Sequence, residues 1–161
     1  MRILTTIFLL LFTTICQGQS VIGKYSNYFG ESFYFENDST FKYTWLFDLA
    51  SSWTNGNWKL SNDTLYIEPK IILDTLRTMN CNGIEIDTLV ISTDEILNRT
   101  DSIAYLSSFL SGGGQNRRIL PSKLYYKNKR LYLILENGKL DSRKKSFLTR
   151  KRYKTYFIEV E

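Results

Sequence analysis

Residues 41–47 read FKYTWLF, and an aromatic side chain occupies every second position of this stretch. Successive side chains of a β-strand point to opposite faces, so the pattern predicts a strand with one strongly aromatic face. Phe33 and Phe35 precede it with the same spacing, and the intervening Asn37-Asp38-Ser39 is typical of a tight turn. Together the two segments predict an antiparallel hairpin.

Short strand-like segments continue this pattern along the chain, and turn residues separate them. The turn Ser61-Asn62-Asp63 lies between two apolar segments, and Lys127-Asn128-Lys129-Arg130 separates residues 124–126 from residues 131–135. Residues 156–160 form a last predicted strand, which gives about nine or ten strands in total. We predict an all-β fold in which an antiparallel meander closes into a small barrel, because closure removes unpaired sheet edges.

One segment departs from the two-residue period and predicts a single helix. Ser92-Thr93-Asp94-Glu95 has the form of a capping box, and apolar residues then recur at helical spacing. We expect this helix to end at Gly112-Gly113-Gly114, before the last strands of the barrel. The glycines open a loop that carries Arg117 and Arg118, and this loop is either a flexible connector or a lid over a pocket.

The tripeptide Asp-Thr-Leu occurs three times and begins at Asp63, Asp74 and Asp87. An aspartate carboxylate accepts a hydrogen bond from the backbone two residues on, and β-branched threonine favours the extended segment that follows. We therefore predict that these aspartates close turns rather than form a catalytic pair.

The first residues have the form of a secretory signal. Arg2 precedes an apolar run, and Cys16 and Gly18 supply the small residues at −3 and −1 of a cleavage site after Gly18. We predict a signal peptide over residues 1–18 and one β-barrel domain over residues 19–161. The alternative is a lipoprotein attached through Cys16. The protein is expected to be exported (periplasmic, envelope-associated or extracellular), and no later run approaches the roughly 20 apolar residues of a spanning helix.

The chain contains no histidine, which is the commonest general base near neutral pH and the commonest metal ligand. Catalytic triads that need histidine and histidine-based zinc sites are therefore excluded. We predict no enzymatic activity, no catalytic residue, no metal site and no cofactor. Cys81 alone would remain in the mature chain, and we predict that it is a small buried apolar side chain.

Charge is distributed unevenly along the chain. Residues 1–114 contain seven Lys and Arg against twelve Asp and Glu, whereas residues 115–161 contain fourteen against four. Either these cations form a face for an anionic partner, or acidic neighbours cancel their charge. Export makes nucleic acid an unexpected partner. The basic clusters include Arg117, Arg118, Arg143, Lys144 and Lys145.

Several motifs in the first half of the predicted mature chain resemble exported lipocalin-like proteins of bacteria. They are Gly23-Lys24-Tyr25, the strand Ser39-Thr40-Phe41-Lys42-Tyr43, and the hairpin of Gly56-Asn57-Trp58-Lys59-Leu60 with Asp63-Thr64-Leu65. In two respects the chain departs from the pattern: the first aromatic residue is tyrosine rather than tryptophan, and the helix precedes the last strands. The resemblance implies an up-and-down barrel of lipocalin-like type and carries no catalytic residue.

Two functions are compatible with these observations. In the first, the protein binds a small apolar or amphipathic ligand, and the barrel interior around it is lined by Tyr25, Tyr43, Trp45 and Trp58. In the second, the aromatic residues form a filled core, and the basic C-terminal surface binds an anionic envelope component or a partner protein. Small barrels of both kinds exist, and the sequence does not choose between them.

Overall fold

The aromatic hairpin forms as predicted in the structure, a computed structural model that describes residues 21–146 and 150–160. Strand β2 (Glu31–Phe35) pairs antiparallel with strand β3 (Thr40–Phe47). Residues 36–39 make the turn between them. The predicted signal peptide, with its cysteine, lies outside the described residues.

The part of the chain that the structure describes contains thirteen strands and one helix. Besides β2 and β3 these are β1 (Gly23–Ser26), β4 (Ala50–Ser61), β5 (Thr64–Lys70), β6 (Leu73–Met79), β7 (Glu85–Ile91), β8 (Arg99–Asp101), α1 (Ser102–Leu110), β9 (Lys123–Tyr126), β10 (Arg130–Leu133), β11 (Lys144–Ser146), β12 (Arg152–Lys154) and β13 (Phe157–Val160).

Eight of the strands close a barrel in which each strand pairs antiparallel with the next. The order around the barrel is β1, β2, β3, β4, β5, β9, β10 and β13, and β13 pairs back with β1. This order follows the chain, so the barrel is an up-and-down meander interrupted by insertions. The predicted fold class is confirmed: an all-β, antiparallel meander closes into a small lipocalin-like barrel, with one helix before the last strands.

Side chains at alternate strand positions fill the barrel interior. The ring of Phe33 lies among three other rings, with centroid distances of 5.0 Å to Tyr43, 5.2 Å to Phe157 and 5.7 Å to Phe35. Each of these four residues is at most 2% exposed. Aromatic side chains bury large areas and gain further from edge contacts, so this cluster is a main source of barrel stability.

Gly56 lies on β4 where a neighbouring strand and a core ring leave no room for a side chain. A Cβ at this position would lie 2.7 Å from the Phe41 ring and closer still to the Glu68 carbonyl oxygen. We predict that Gly56→Ala lowers the free energy of unfolding by about 2 kcal/mol, because the added methyl group displaces the backbone. Urea titration measures this loss. The control Gly113→Ala, whose Cβ would be 3.4 Å from its nearest neighbour, should change stability by less than about 0.5 kcal/mol. Equal losses in both variants would contradict the prediction.

The two ends of the barrel differ because consecutive strands run in opposite directions. One end carries three short turns, at residues 36–39, 62–63 and 127–129. The other end, which we call the mouth, carries two short turns and both long insertions, at residues 27–30, 48–49, 71–122 and 134–156. The five predicted basic residues all belong to the insertions, so the connectivity brings them to the same end of the barrel.

The first insertion, residues 71–122, forms its own sheet in the order β7, β6, β8. The prediction that Ser92 caps the helix is wrong, because α1 begins only at Ser102. Residues 99–101 pair in parallel with β6 as strand β8, so the helix cannot start before them. Its cap is Asp101, whose Oδ1 accepts hydrogen bonds from the backbone N–H groups of Ile103 (2.8 Å) and Ala104 (2.9 Å).

Only one of the three repeated aspartates in the described chain lies in a turn. Asp63 adopts a φ of 57° between β4 and β5, as predicted. Asp74 is instead fully buried in β6, where its carboxylate accepts hydrogen bonds from two backbone N–H groups of residues 93–98. Asp87 lies in β7 and pairs with Arg99 at 2.6 Å. The turn prediction is wrong for Asp74 and Asp87, because β6 and β7 begin before these residues.

Cys81 lies in the turn between β6 and β7 and is exposed, so the prediction of a buried side chain is wrong. Residues 81–89 are all exposed. This turn therefore projects into solvent, where apolar packing around the thiol does not arise.

Candidate binding site at the barrel mouth

All four predicted ligand-binding aromatic residues sit at inward-facing strand positions, but they lie at different depths. Tyr25 and Tyr43 are 0% and 2% exposed, and both belong to the core. Trp58 is half-buried and packs edge-to-face on Phe35 at 5.4 Å. Trp45, also half-buried, lies nearest the mouth and packs against the top of the core. The structure therefore places Trp45 apart from the other three.

A polar network covers the core below Trp45. The Tyr43 hydroxyl donates a hydrogen bond to Glu31 Oε1 at 3.2 Å, and Asn27 Nδ2 donates to Glu31 Oε2 at 2.5 Å. Burial raises the pKa of the Tyr43 hydroxyl above its ordinary value, and the neighbouring Glu31 carboxylate raises it further. Tyr43 is therefore protonated near neutral pH and holds Glu31 in place as a hydrogen-bond donor.

A cleft of about 310 Å³ opens above this network, and we call it the mouth cleft. The guanidinium carbon of Arg118 lies 4.4 Å from the centroid of the Trp45 ring, which is a cation–π contact. Two cationic side chains in the lining face one carboxylate, so the cleft combines apolar surface with net positive charge. The lining consists of Asn27, Phe29, Glu31, Trp45, Arg118, Leu133, Lys145 and Thr155.

Gln115 fixes the loop that carries Arg118 to the barrel. It is buried, and its Nε2 donates a hydrogen bond to the Lys70 carbonyl oxygen at 2.8 Å. Its Oε1 accepts a hydrogen bond from the Ile72 N–H at 3.0 Å, so the side chain replaces a backbone pairing partner. Arg118 therefore extends over Trp45 from a segment that the sheet holds in place.

The second insertion brings Lys145 to the cleft on a two-stranded ribbon formed by β11 and β12. Lys145 lies opposite Tyr153 in this ribbon. The Tyr153 ring stacks on Tyr28 of the 27–30 turn, with an angle of 9° between the ring planes. This contact between aromatic rings holds the ribbon beside the mouth.

Arg143, at the base of the ribbon, is paired with Asp141. Its Nε and Nη2 donate to the two carboxylate oxygens at 2.8 and 2.9 Å, and its backbone N–H donates to Asp141 Oδ1 at 3.0 Å. The Asp141 side chain is only 1% exposed. Hydrogen bonding to Arg143 lowers the pKa of Asp141 to about 2, so the carboxylate is charged at neutral pH.

The five predicted basic residues do not form one face. Arg118 and Lys145 line the mouth cleft. The guanidinium carbon of Arg117 instead lies 4.6 Å from the ring centroid of Phe109 on α1. Arg143 is neutralised by its aspartate, and Lys144 is exposed on the ribbon. On β11, Lys144 and Lys145 diverge because neighbouring side chains of a strand point to opposite sides.

Three polar residues of the lining, Glu31, Asn27 and Thr155, are not among the predicted site residues, and neither are the apolar Phe29 and Leu133. For Glu31 a signal exists, because it has the same inward parity as Phe33 and Phe35 and is thus a carboxylate at a core-facing position. Asn27 lies in a turn and Thr155 at the end of an insertion, so no periodicity points to them.

Comparisons with protein-family models, curated proteins and solved structures found no match for this chain. Within residues 21–146 and 150–160, no group of three or more Cys, Asp and Glu side chains is placed to hold a metal ion. No helix in the described residues is long and apolar enough to cross a membrane. The fold and the cleft together define a small up-and-down β-barrel with a filled interior and a cationic, apolar mouth.

Proposed function

We propose that the protein is an exported, lipocalin-like binding protein that takes a small amphipathic anion at the barrel mouth. One observation carries the proposal. Arg118 and Lys145, which come from two separate insertions, converge with the Trp45 ring above a filled core. Export rests on the signal-like residues 1–18 and implies a periplasmic, envelope-associated or extracellular protein. No catalytic step is part of the proposal.

Each part of the mouth cleft matches a part of such a ligand. Trp45, Phe29 and Leu133 offer apolar surface, and burying such surface contributes about 25 cal/mol per Å². Arg118 lies over the Trp45 ring, and a guanidinium stacked in this way still directs N–H donors from its edge towards a carboxylate or phosphate. Lys145 adds a second positive charge.

Calorimetric titration with sodium decanoate tests the proposal. We expect Arg118→Gln and Lys145→Gln each to weaken decanoate binding by about tenfold or more, because each removes a charge-assisted hydrogen bond. The matched control is Lys144→Gln, which removes the same charge from the exposed neighbour of Lys145 and should change the affinity less than about twofold. Equal losses in Lys144→Gln and Lys145→Gln would contradict a site at the cleft.

The ribbon favours a second candidate function, the binding of an anionic envelope component or partner protein. Its two short strands carry exposed cationic side chains, among them the cross-strand pair Lys144 and Lys154. Dextran sulfate is a suitable polyanionic probe. Under this function, reversing both charges (Lys144→Glu with Lys154→Glu) abolishes dextran sulfate binding and its salt dependence. The same variant should retain decanoate binding if the mouth cleft is the functional site.

A further inference from the structure

A second cleft, of about 360 Å³, lies at the side of the barrel next to the mouth cleft, and we call it the side cleft. Its volume is at the lower end of the roughly 300–1,000 Å³ that small-molecule sites occupy. Its lining is dominated by aliphatic side chains, chiefly Ile67, Ile71, Ile91, Ile119 and Leu120.

The side cleft arises where the barrel wall is incomplete. Strand β5 pairs with β9 only from residue 64 to residue 66, after which the Ile67 N–H donates to the Ser122 carbonyl oxygen at 2.9 Å. The loop before Ser122 then separates from β5 and returns to it at Gln115, which bonds to the backbone of residues 70 and 72. The loop is thus attached to β5 only at its two ends, and the cleft lies between the loop and the strand.

Three polar side chains in the lining, those of Gln115, Thr54 and Asn116, bond to the protein's own backbone. Both ends of the Gln115 amide are used in fixing the loop. The Thr54 hydroxyl donates to the Trp53 carbonyl oxygen at 2.8 Å, and Asn116 Oδ1 accepts a hydrogen bond from the Arg118 N–H at 3.1 Å. What the cleft offers a ligand is therefore chiefly aliphatic surface, which recognises a hydrocarbon by contact area.

The charged residues of the side cleft are all positive. Arg117 and Arg118 are the charged residues of the side-cleft lining, and no described carboxylate belongs to it. Arg118 also lines the mouth cleft. The aliphatic cleft and the cationic cleft therefore meet at one guanidinium group.

We infer that the ligand is a single-chain anionic lipid whose head group lies between Arg118 and Lys145 and whose hydrocarbon chain occupies the side cleft. The inference rests on the proposed function and names its ligand class. Ile71 and Ile119 are 68% and 100% exposed. A hydrocarbon chain in the cleft covers these side chains, and this burial favours binding.

A chain-length series tests the inference. Calorimetry with hexanoate, octanoate, decanoate and laurate should show wild-type affinity rising about threefold to fourfold per added methylene. In Ile71→Gln with Ile119→Gln, which alters exposed positions, we expect this increment to fall below about twofold while hexanoate affinity is unchanged. The matched control Leu110→Gln alters an 82%-exposed leucine of α1 and should keep the wild-type increment.

The outcomes separate the inference from the proposed function. If the double variant keeps the wild-type increment while Arg118→Gln loses binding, the chain lies elsewhere and the inference fails, although the proposed function stands. If wild-type protein binds none of the carboxylates, the proposed function fails and the inference fails with it. A reduced increment with intact hexanoate binding supports both.

A photoreactive fatty acid with a terminal diazirine locates the chain directly. After irradiation and digestion, we expect adducts at residues 67–72, Ile91 or residues 115–122. Adducts confined to the 27–30 turn and the ribbon would overturn the inference, since they would place the chain end in the mouth cleft.

Discussion

Phe33→Ala is expected to lower the free energy of unfolding by about 3–5 kcal/mol, and Trp45→Ala by less than about 2 kcal/mol. Phe33 is fully buried and contacts the rings of Phe35, Tyr43 and Phe157. Removing it leaves a cavity inside a rigid closed barrel, which relaxes poorly. Trp45 is half-buried and lines the mouth cleft, so its loss removes less buried surface.

Urea unfolding followed by far-UV circular dichroism measures both losses. A domain of this size has a total stability of only about 5–15 kcal/mol, so Phe33→Leu is the accompanying variant. It keeps most of the volume and should cost less than about 1.5 kcal/mol. If Trp45→Ala destabilised the barrel as much as Phe33→Ala, Trp45 would be a core residue rather than a wall of the mouth cleft.

The same variants separate stability from binding. Trp45→Ala should weaken decanoate binding about tenfold, because it removes the ring on which Arg118 lies. Phe33→Leu should leave the affinity unchanged, since Phe33 lies below the network of Tyr43 and Glu31. One aromatic stripe of the sequence would thus contain both core and site residues.

The sequence predicted the barrel because its strands obey a simple rule. In β2 and β3 the alternation of aromatic and polar residues fixes which side chains face inward, and the turns between strands use Asn, Asp and Ser. These signals are local, so they identify a strand even when its partner strand is not known. For the same reason they predicted that Trp45 and Tyr43 share a face, but not that only Trp45 reaches a cleft.

The first insertion was harder to predict, because alternation does not say which sheet a strand joins. Strands β6 and β7 have the pattern of a continuing meander, yet they pair with each other and with β8 outside the barrel. Long-range pairing of β8 with β6 also overrode the capping box at Ser92. Pairings between distant segments decide both the separate sheet of β6 and β7 and the late start of α1. A short stretch of sequence does not contain the information that sets such pairings.

The sequence predicted residues of the site but not their convergence, because the convergence also depends on how distant segments are arranged. In the sequence, the basic clusters and the aromatic residues indicate two rival functions. The structure brings Arg118 and Lys145 into one cleft with Trp45 because both insertions leave from the same barrel end. Strand direction in a meander alternates, so this convergence follows once the barrel strands are correctly assigned.

Asp141→Asn is expected to cost about 2–3 kcal/mol at neutral pH and to loosen the ribbon at the mouth. The buried carboxylate accepts three hydrogen bonds from Arg143. The Asp141 backbone links the ribbon to the barrel, since its N–H donates to the Leu133 carbonyl oxygen at 2.8 Å and its carbonyl accepts from the Thr155 hydroxyl at 3.4 Å. An asparagine keeps one acceptor oxygen and turns an NH₂ group towards the guanidinium donors.

The stabilisation that the Asp141–Arg143 pair contributes decreases as the pH falls. Pairing with Arg143 holds the pKa of Asp141 at about 2, below its ordinary value of 3.8. The unfolded chain therefore takes up this proton first, so the stabilisation is complete above about pH 4 and is lost as the pH falls to about 2. Because Arg143 is largely exposed to solvent, we expect only about 1–2 kcal/mol of the difference between wild type and Asp141→Asn to disappear in this interval.

Urea titrations of both proteins near neutral pH and at about pH 4 and pH 2 measure the difference. A difference that stayed constant would contradict the prediction, because it would show that Asp141 is not the group that titrates in this interval.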